Sequence, residues 1–235
     1  YSSVTYDNNG NVILAGTTDD TFLLDDVAYN FNKNKVLFLM KFDANTGNIL
    51  FAKQFIDMDA FMLHLDTDNE NNIYLSFEPI PENWGITSYN FGSVQVPFSE
   101  SANHLFLKFD SNGNTLLGKN FYANNSSSDY NYSWPHSLKF DGTDFIISGE
   151  IYSGDRISYK GIDGQIYTHP YPTSTTTNVN DFIAKVDKSG NVIWHKPIFA
   201  TNRIHQNKAD VDETGNVYYY INAFNKINID GNEMQ

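Results

Sequence analysis

The chain has 235 residues, 15% of them aromatic, and a formal net charge of -13 at pH 7. Its lack of cysteine excludes disulfides and thiolate metal sites, and an acidic balance without a Lys/Arg cluster argues against nucleic-acid binding. No apolar run approaches the roughly 18 residues of a membrane helix. Because the chain begins inside a predicted strand with no positively charged signal region, we expect either that a leader has been removed or that the numbering starts within a longer protein.

One strand-turn-strand segment recurs along the chain. Each copy has an apolar run of about five to eight residues, a turn that starts with Asp and contains Gly, and a second apolar run. In every copy a lysine follows the turn glycine by six residues. Three copies predict a repeat architecture, and they occupy residues 36–55, 104–121 and 181–199.

The turns and the strands before them predict antiparallel hairpins. The turn aspartates Asp43, Asp110 and Asp187 are expected to accept hydrogen bonds from backbone NH groups two residues on, while Gly or Asn takes the left-handed conformation at little steric cost. Before each turn, one face of the strand is apolar throughout, and the other is apolar until a lysine two residues before the Asp. Strands buried on one face and much of the other, without helices to cover them, predict sheets stacked against sheets.

A second hairpin precedes each copy and completes a repeating unit. Its turn also starts with Asp, and a long connection with a short apolar pattern of its own leads to the recurring hairpin. The aspartates of these first turns lie 61, 73 and 71 residues apart, and they are Asp7, Asp68, Asp141 and Asp212. Four strands per unit are typical of propeller blades. The predicted fold class is therefore all-β, a β-propeller built of four-stranded antiparallel blades and incomplete in this chain, with about three and a half blades.

The whole chain, residues 1–235, is predicted to be part of one β-propeller domain. Its blades cover approximately residues 1–56, 57–122, 123–200 and a truncated 201–235. A ring needs at least about four blades, because the first and last sheets otherwise expose apolar faces. We therefore expect further blades from a longer chain, and a partner chain that completes the ring is the less favoured alternative.

Two patterns define the unit: D-x-x-G-N-V-Y in the first hairpin and D-F-x-x-K-x-D-x-x-G-N-x-x-W-x-K-x-x-F in the second. They are carried by Asp212, Gly215, Asn216, Val217, Tyr218, Asp181, Phe182, Lys185, Asp187, Gly190, Asn191, Trp194, Lys196 and Phe199. Together with the long connection, they resemble the β-propeller repeat family found in secreted bacterial proteins, many of them from Bacteroidota. The match covers nearly the whole chain, with two departures: Asn71 replaces the first-turn Gly, and Phe51 and Leu117 stand at the position of Trp194.

The resemblance implies a multi-bladed propeller on an exported, often cell-surface, multidomain protein. Such proteins frequently carry a C-terminal sorting domain for outer-membrane secretion. The resemblance does not imply an enzyme, because the family is defined by structure and a fold alone does not specify a reaction.

The acidic turns look superficially like calcium loops. They lack the alternating carboxylates and the distant Glu of an EF-hand, so turn capping is favoured. A denser cluster of acids contains Asp57, Asp59, Asp66, Asp68 and Glu70. Because these acids are split across a strand and its two ends, they need not converge on an ion. No cofactor is predicted, and calcium bound by Asp66, Asp68 and Glu70 is the alternative.

Three histidines, His64, His136 and His205, precede or enter the first strand of a unit. In a propeller this strand lies nearest the axis, where imidazoles can bind a metal or act as acid and base. They precede the aligned aspartates by four, five and seven residues, and such unequal spacing argues against a symmetric ligand set. Scattered or hydrogen-bonded histidines are favoured. The alternative is a carbohydrate-active lyase or hydrolase with a site at the axis that uses His136, His205, Asp57 and Asp59.

The predicted function is a non-catalytic scaffold or binding module of a secreted or cell-surface protein, with loops presented to a protein or glycan partner. No G-x-S-x-G, H-E-x-x-H, P-loop or dinucleotide motif is present. Large aromatic residues concentrate contact energy at binding surfaces. The most plausible anchors are therefore Trp84, Tyr130, Tyr132 and Trp134, with ordinary packing or a solvated connection as the structural alternative.

Overall fold

A computed structural model describes residues 2–18, 22–24, 27–29, 35–56, 58–81, 87–97, 104–121, 132–152, 156–160, 165–170, 179–200, 204–223, 227–229 and 232–234. Every regular element in these ranges is a β-strand, and the strands pair antiparallel. The prediction of an all-β chain with four-stranded antiparallel sheets is therefore confirmed. None of the described ranges contains a helix with the length and apolarity that a membrane span needs.

The strands follow the predicted alternation of apolar runs and turns. In chain order they are β1 (Ser2–Tyr6), β2 (Val12–Thr18), β3 (Phe22–Leu24), β4 (Val27–Tyr29), β5 (Val36–Phe42), β6 (Ile49–Ile56), β7 (Met58–Thr67), β8 (Ile73–Pro81), β9 (Ser88–Phe91), β10 (Val94–Pro97), β11 (His104–Phe109), β12 (Thr115–Phe121), β13 (Tyr132–Phe140), β14 (Phe145–Tyr152), β15 (Arg156–Lys160), β16 (Ile166–Pro170), β17 (Val179–Val186), β18 (Val192–Ala200), β19 (Ile204–Val211), β20 (Val217–Ala223), β21 (Ile227–Ile229) and β22 (Asn232–Met234).

The units form successive sheets. Sheet 1 has the strand order β1-β2-β5-β6, and sheet 2 has the same order in β7-β8-β11-β12. Sheet 3 starts with β13-β14-β17-β18 and is extended by β21-β22, while sheet 4 is the pair β19-β20. The pairs β3-β4, β9-β10 and β15-β16 are separate hairpins within the long connections. The short apolar patterns of those connections therefore form strands of their own.

Two of the connection hairpins reach the preceding unit. Phe91 of β9 packs edge-on against Phe55 of β6, with ring centroids 5.2 Å apart. Strand β21 pairs with β18, and Ile229 lies opposite Ile198. A hairpin that leaves one unit therefore packs on the outer strand of the sheet before it, which ties neighbouring units together.

The turns are built as the Asp residues predict. Asp7 Oδ1 accepts hydrogen bonds from the NH groups of Asn9 and Asn11, each at 2.9 Å, and Asp7 Oδ2 accepts one from Asn11 Nδ2 at 3.0 Å. The same three bonds occur in the turns that start at Asp68, Asp110, Asp187 and Asp212. The capping prediction is confirmed, and the Asn four residues on adds a closing bond that the sequence analysis did not anticipate.

The sheets pack face to face, because alternate residues of a strand point to opposite faces. In β11, Leu105, Leu107 and Phe109 join a core with residues of sheet 1, whereas Phe106 joins a core with residues of sheet 3. A third core between sheets 3 and 4 contains Ile146, Ile183, Ile198 and Ala209. The predicted stacking of sheet against sheet is therefore present at each of these boundaries.

The first strands of successive units lie side by side. Ser3 Oγ accepts a hydrogen bond from Leu65 N at 3.2 Å, and Ser137 Oγ accepts one from Ala209 N at 3.1 Å. Both serines stand four residues before the first-turn Asp of their units. Phe140 N also donates to Asp66 Oδ2 at 2.8 Å. The first strands therefore run parallel and nearly in register.

This register gives the stack two distinct ends. Within a sheet the strands alternate in direction, so both hairpin turns of a unit lie at one edge. Because the units are in register, these turns share one end of the whole assembly, which we call the turn end. The long connections and the links between units leave from the opposite end, which we call the loop end.

Candidate functional site

Carboxylates at the turn end form ion pairs and hydrogen bonds that stabilise the fold. Lys41 Nζ lies 2.7 Å from Asp7 Oδ2, and both side chains are buried. Burial raises the pKa of Asp7, but hydrogen bonds from Lys41 and Asn11 outweigh it and hold the pKa below its usual value. Lys185 forms the equivalent ion pair with Asp141 in sheet 3, at 2.6 Å. In sheets 1 and 3, the lysine two residues before the second turn thus neutralises a first-turn acid.

A different group of polar side chains lies at the loop end, and we call it the loop-end cluster. Trp134, Glu150 and Asp181 are direct neighbours across β13, β14 and β17. Glu78, at the loop end of β8 in sheet 2, accepts a hydrogen bond from the Trp134 indole. His136 completes the cluster, with its Nε2 atom 3.6 Å from Glu150 Oε2. The cluster therefore joins sheets 2 and 3.

Asp181 has the most perturbed carboxyl group of the cluster. Only 1% of the residue is exposed, and its Oδ2 atom accepts a hydrogen bond from Tyr219 of sheet 4 at 3.3 Å. Burial raises the pKa of Asp181 to about 8, a nearby Asn207 lowers it, and the charge of Glu150 raises it further. The Oδ1 atom has no hydrogen-bond partner among the described residues. Asp181 is thus protonated at neutral pH.

Glu78 titrates in the neutral range. Burial raises its pKa to about 7, against the hydrogen bond from Trp134, which lowers it. Beside it, the cluster brings together the protonated carboxyl of Asp181, the carboxyl of Glu150, which is 7% exposed, and the imidazole of His136. Groups of this kind can exchange protons with a ligand or donate and accept its hydrogen bonds.

Two further histidines lie between sheets 2 and 3, with His104 buried and His64 half-buried. His104 Nε2 lies 2.6 Å from Ser76 Oγ, and His64 Nε2 lies 3.3 Å from the Pro135 carbonyl oxygen. Burial lowers the pKa of His104 to about 3 and that of His64 to about 4, and the charge of His136 lowers both further. Both rings are therefore neutral at physiological pH. The His64 bond joins sheets 2 and 3, whereas the His104 bond lies within sheet 2.

The described acids of the acidic cluster are held by partners within the protein. Asp59 pairs with Lys35, whose Nζ atom is 2.6 Å away. Asp66 accepts from the NH groups of Thr67 and Phe140, while Asp68 caps its own turn. Glu70 lies 3.6 Å from Lys188. In the described part of the chain, no three His, Asp or Glu residues are grouped so as to hold a metal ion.

Two predicted site residues, Trp134 and His136, belong to the loop-end cluster. Their acidic neighbours are Glu78 and Glu150, whereas Asp59 lies beside Lys35. Five further predicted residues fall outside the described residues or have side chains that do, and they are Asp57, Trp84, Tyr130, Tyr132 and His205.

The sequence analysis missed Glu78, Glu150 and Asp181. A comparison between copies of the unit contains the signal for one of them: six residues before the second-turn Asp, the three copies have Leu37, His104 and Asp181. Residues that recur in every copy build the unit, whereas a position that changes from Leu to His to Asp is free to serve a local purpose. Asp181 was instead interpreted as part of the repeat pattern.

No protein-family model matches the chain, and no curated protein is similar enough to it to count as a relative. The resemblance to a propeller repeat family therefore stays a prediction, and function must be argued from the site itself.

Proposed function

We propose that the sheets are consecutive blades of a β-propeller in an exported or cell-surface protein, and that the chain is a non-catalytic binding module. The bonds between successive first strands support blades set around an axis, because the first strand of each blade would then be innermost. Small-angle X-ray scattering of the purified chain tests this arrangement. An arc of sheets has a shorter maximum dimension than a straight stack, and a curve typical of a straight stack would contradict the proposal.

The bond between Trp134 and Glu78 carries the proposal of a binding surface. It joins a large aromatic ring to a carboxyl group at the loop end, where the long connections emerge. An indole face offers a stacking surface to a sugar or an apolar side chain. Carboxyl groups beside it accept hydrogen bonds from hydroxyl or NH groups of the ligand. A ring with adjacent polar groups is the arrangement by which ligand sites fix orientation.

Trp134→Ala is the direct test, with a glycan array and a peptide library as probes. Tyr220→Ala is the matched control, since Tyr220 is an aromatic residue of sheet 4 that is 60% exposed. Binding should weaken at least tenfold in the first variant, about the effect of removing an interface anchor, and stay within about twofold in the second. Equal binding by Trp134→Ala and the parent chain, or binding of neither probe class, would contradict the proposal.

The enzyme alternative is favoured by one observation, the proximity of Asp181 and Glu150 on paired strands. A carboxyl that is protonated at neutral pH beside a second carboxyl and His136 resembles an acid and base pair. The site would then use Glu150 and Asp181 instead of Asp57 and Asp59. Product release from a panel of polysaccharides, abolished by Asp181→Asn in a folded variant, would support this alternative, and an inactive parent chain would reject it.

A further inference from the structure

A pocket of about 340 Å³ opens at the turn end between sheets 1 and 2. This volume is at the lower end of the roughly 300–1,000 Å³ that ligand pockets occupy. The pocket lies far from the loop-end cluster along the strands. Its lining combines three amide side chains with apolar and basic groups: Asn9, Asn71, Asn112, Ser111, Lys41, Leu50 and Phe51.

The corresponding space between sheets 2 and 3 is crossed by a lysine. Lys188 follows the second-turn Asp of its unit, as Ser111 does in the unit before. Lys188 Nζ reaches the first turn of sheet 2 and donates to Asn69 Oδ1 at 2.7 Å. Ser111 has a short side chain, and its carbonyl oxygen accepts from Lys41 Nζ at 3.2 Å. The pocket is therefore open at one boundary because a serine replaces a long side chain.

The chemistry of the lining selects a neutral, hydroxyl-rich ligand. Amide side chains donate and accept hydrogen bonds at once, as sugar hydroxyls do. Leu50 is 51% exposed and offers an apolar wall to the CH face of a sugar ring. Lys41 is the basic group of the pocket, but Asp7 already neutralises it at 2.7 Å. With a chain charge of -13, an anionic ligand would be repelled.

We propose that this pocket binds a neutral hexose unit of a glycan, with Asn9, Asn71 and Asn112 as hydrogen-bonding groups and Leu50 as the apolar wall. The site is independent of the loop-end cluster. The inference rests on the proposed function of the chain as a binding module and adds a second binding site, whose ligand is a neutral sugar.

Saturation-transfer NMR with methyl glucoside, galactoside and mannoside, and with glucuronate as the charged comparator, tests the proposal. Ser111→Lys should fill the pocket as Lys188 fills its counterpart, and Leu50→Ala should remove the apolar wall. Each should weaken binding of the preferred methyl hexoside at least about tenfold, in the range expected for removing a ligand's main contacts. Thermal unfolding confirms that both variants are folded.

One control variant separates this site from others. Leu116 holds the same place in its hairpin as Leu50 and is 52% exposed, but it does not line the pocket. Leu116→Ala should bind the hexoside as the parent chain does. The proposal is overturned if no methyl hexoside binds the parent chain, if folded Ser111→Lys binds equally well, or if glucuronate binds more tightly than the neutral sugars.

Discussion

The pKa values of carboxyl groups shift in opposite directions at the turn end and at the loop end of the same sheets. At the turn end, Asp68 is buried and Asp110 is partly buried, which raises the pKa of each, but hydrogen bonds, mainly from their own turns, outweigh burial and lower it. At the loop end, burial dominates and raises the pKa of Glu78 and Asp181 to about 7 and about 8. The turn-end acids therefore build the repeat, whereas the loop-end acids are held protonated or nearly so by burial, which the repeat does not need.

The two ends also give stability opposite dependences on pH. A carboxyl whose pKa is lowered on folding stabilises the native state above its unfolded pKa of about 4, and this contribution is lost as the pH falls. A carboxyl whose pKa is raised on folding, such as Asp181, binds a proton more tightly in the native state. Its contribution is complete below about pH 4 and is lost as the pH rises toward 8.

The largest expected effect comes from breaking a buried ion pair at the turn end. Lys41→Ala leaves Asp7 buried without its countercharge, and we expect the free energy of unfolding to fall by about 3–5 kcal/mol. Urea denaturation measures this loss. Lys188→Ala is the control, because Lys188 is partly exposed, its acidic partners Asp68 and Glu70 are each 3.6 Å away, and its short hydrogen bond goes to the neutral Asn69. We expect a change of about 0–1 kcal/mol. Equal losses in the two variants would show that burial does not decide the strength of these pairs.

The loop end should show its effect in the pH dependence of stability. Asp181→Asn mimics the protonated carboxyl and can still accept the hydrogen bond from Tyr219. The variant should match the parent chain below about pH 4 and exceed its unfolding free energy by about 3–5 kcal/mol near pH 8. The reason is that the unfolded parent ionises in this range, whereas the buried acid of the native parent largely keeps its proton. Urea titrations across this range measure the difference. In Asp212→Asn, the turn-end comparison, stability should instead fall at neutral pH, and this loss should shrink as the pH falls below about 4, the pKa of the unfolded carboxyl. The same sign in both variants would contradict the contrast between the ends.

A third prediction separates backbone strain from packing within the turn end. Gly113 and Gly47 both have positive φ, +77° and +72°, so Ala at either position costs about 1–2 kcal/mol of backbone energy. A Cβ atom at Gly113 would lie 2.7 Å from the Phe51 ring, whereas at Gly47 it meets nothing within 4 Å. Gly113→Ala should therefore destabilise the protein by about 1 kcal/mol more than Gly47→Ala does. The melting temperatures of the two variants measure this difference. Identical melting temperatures would mean that the Phe51 ring moves aside without cost.

Features that repeat could be predicted from the sequence, and features that occur once could not. The Asp-led turns appear in every unit, and their bonds lie within about five residues, so local chemistry was enough. The pairing of Lys41 with Asp7 needs two strands to be neighbours in a sheet, which no local pattern reveals. The bond from Trp134 to Glu78 needs two units to be neighbours. Its acid sits in an apolar stretch where a single carboxyl carries no periodic signal.

The smallest effect concerns Asn71, which departs from the glycine of the repeat. Its φ is +63°, a conformation that Asn tolerates and Gly adopts freely, so Asn71→Gly relieves the backbone. The substitution also removes an exposed hydrogen bond from Asn8 N to Asn71 Oδ1, 2.9 Å long, that links the first turns of sheets 1 and 2. Because these effects oppose each other, we expect the unfolding free energy to change by less than about 0.5 kcal/mol. A fall in the unfolding free energy of more than about 1 kcal/mol would mean that the Asn71 side chain stabilises the contact between units 1 and 2. Asn at this position would then have a structural role and would not be merely a tolerated substitution.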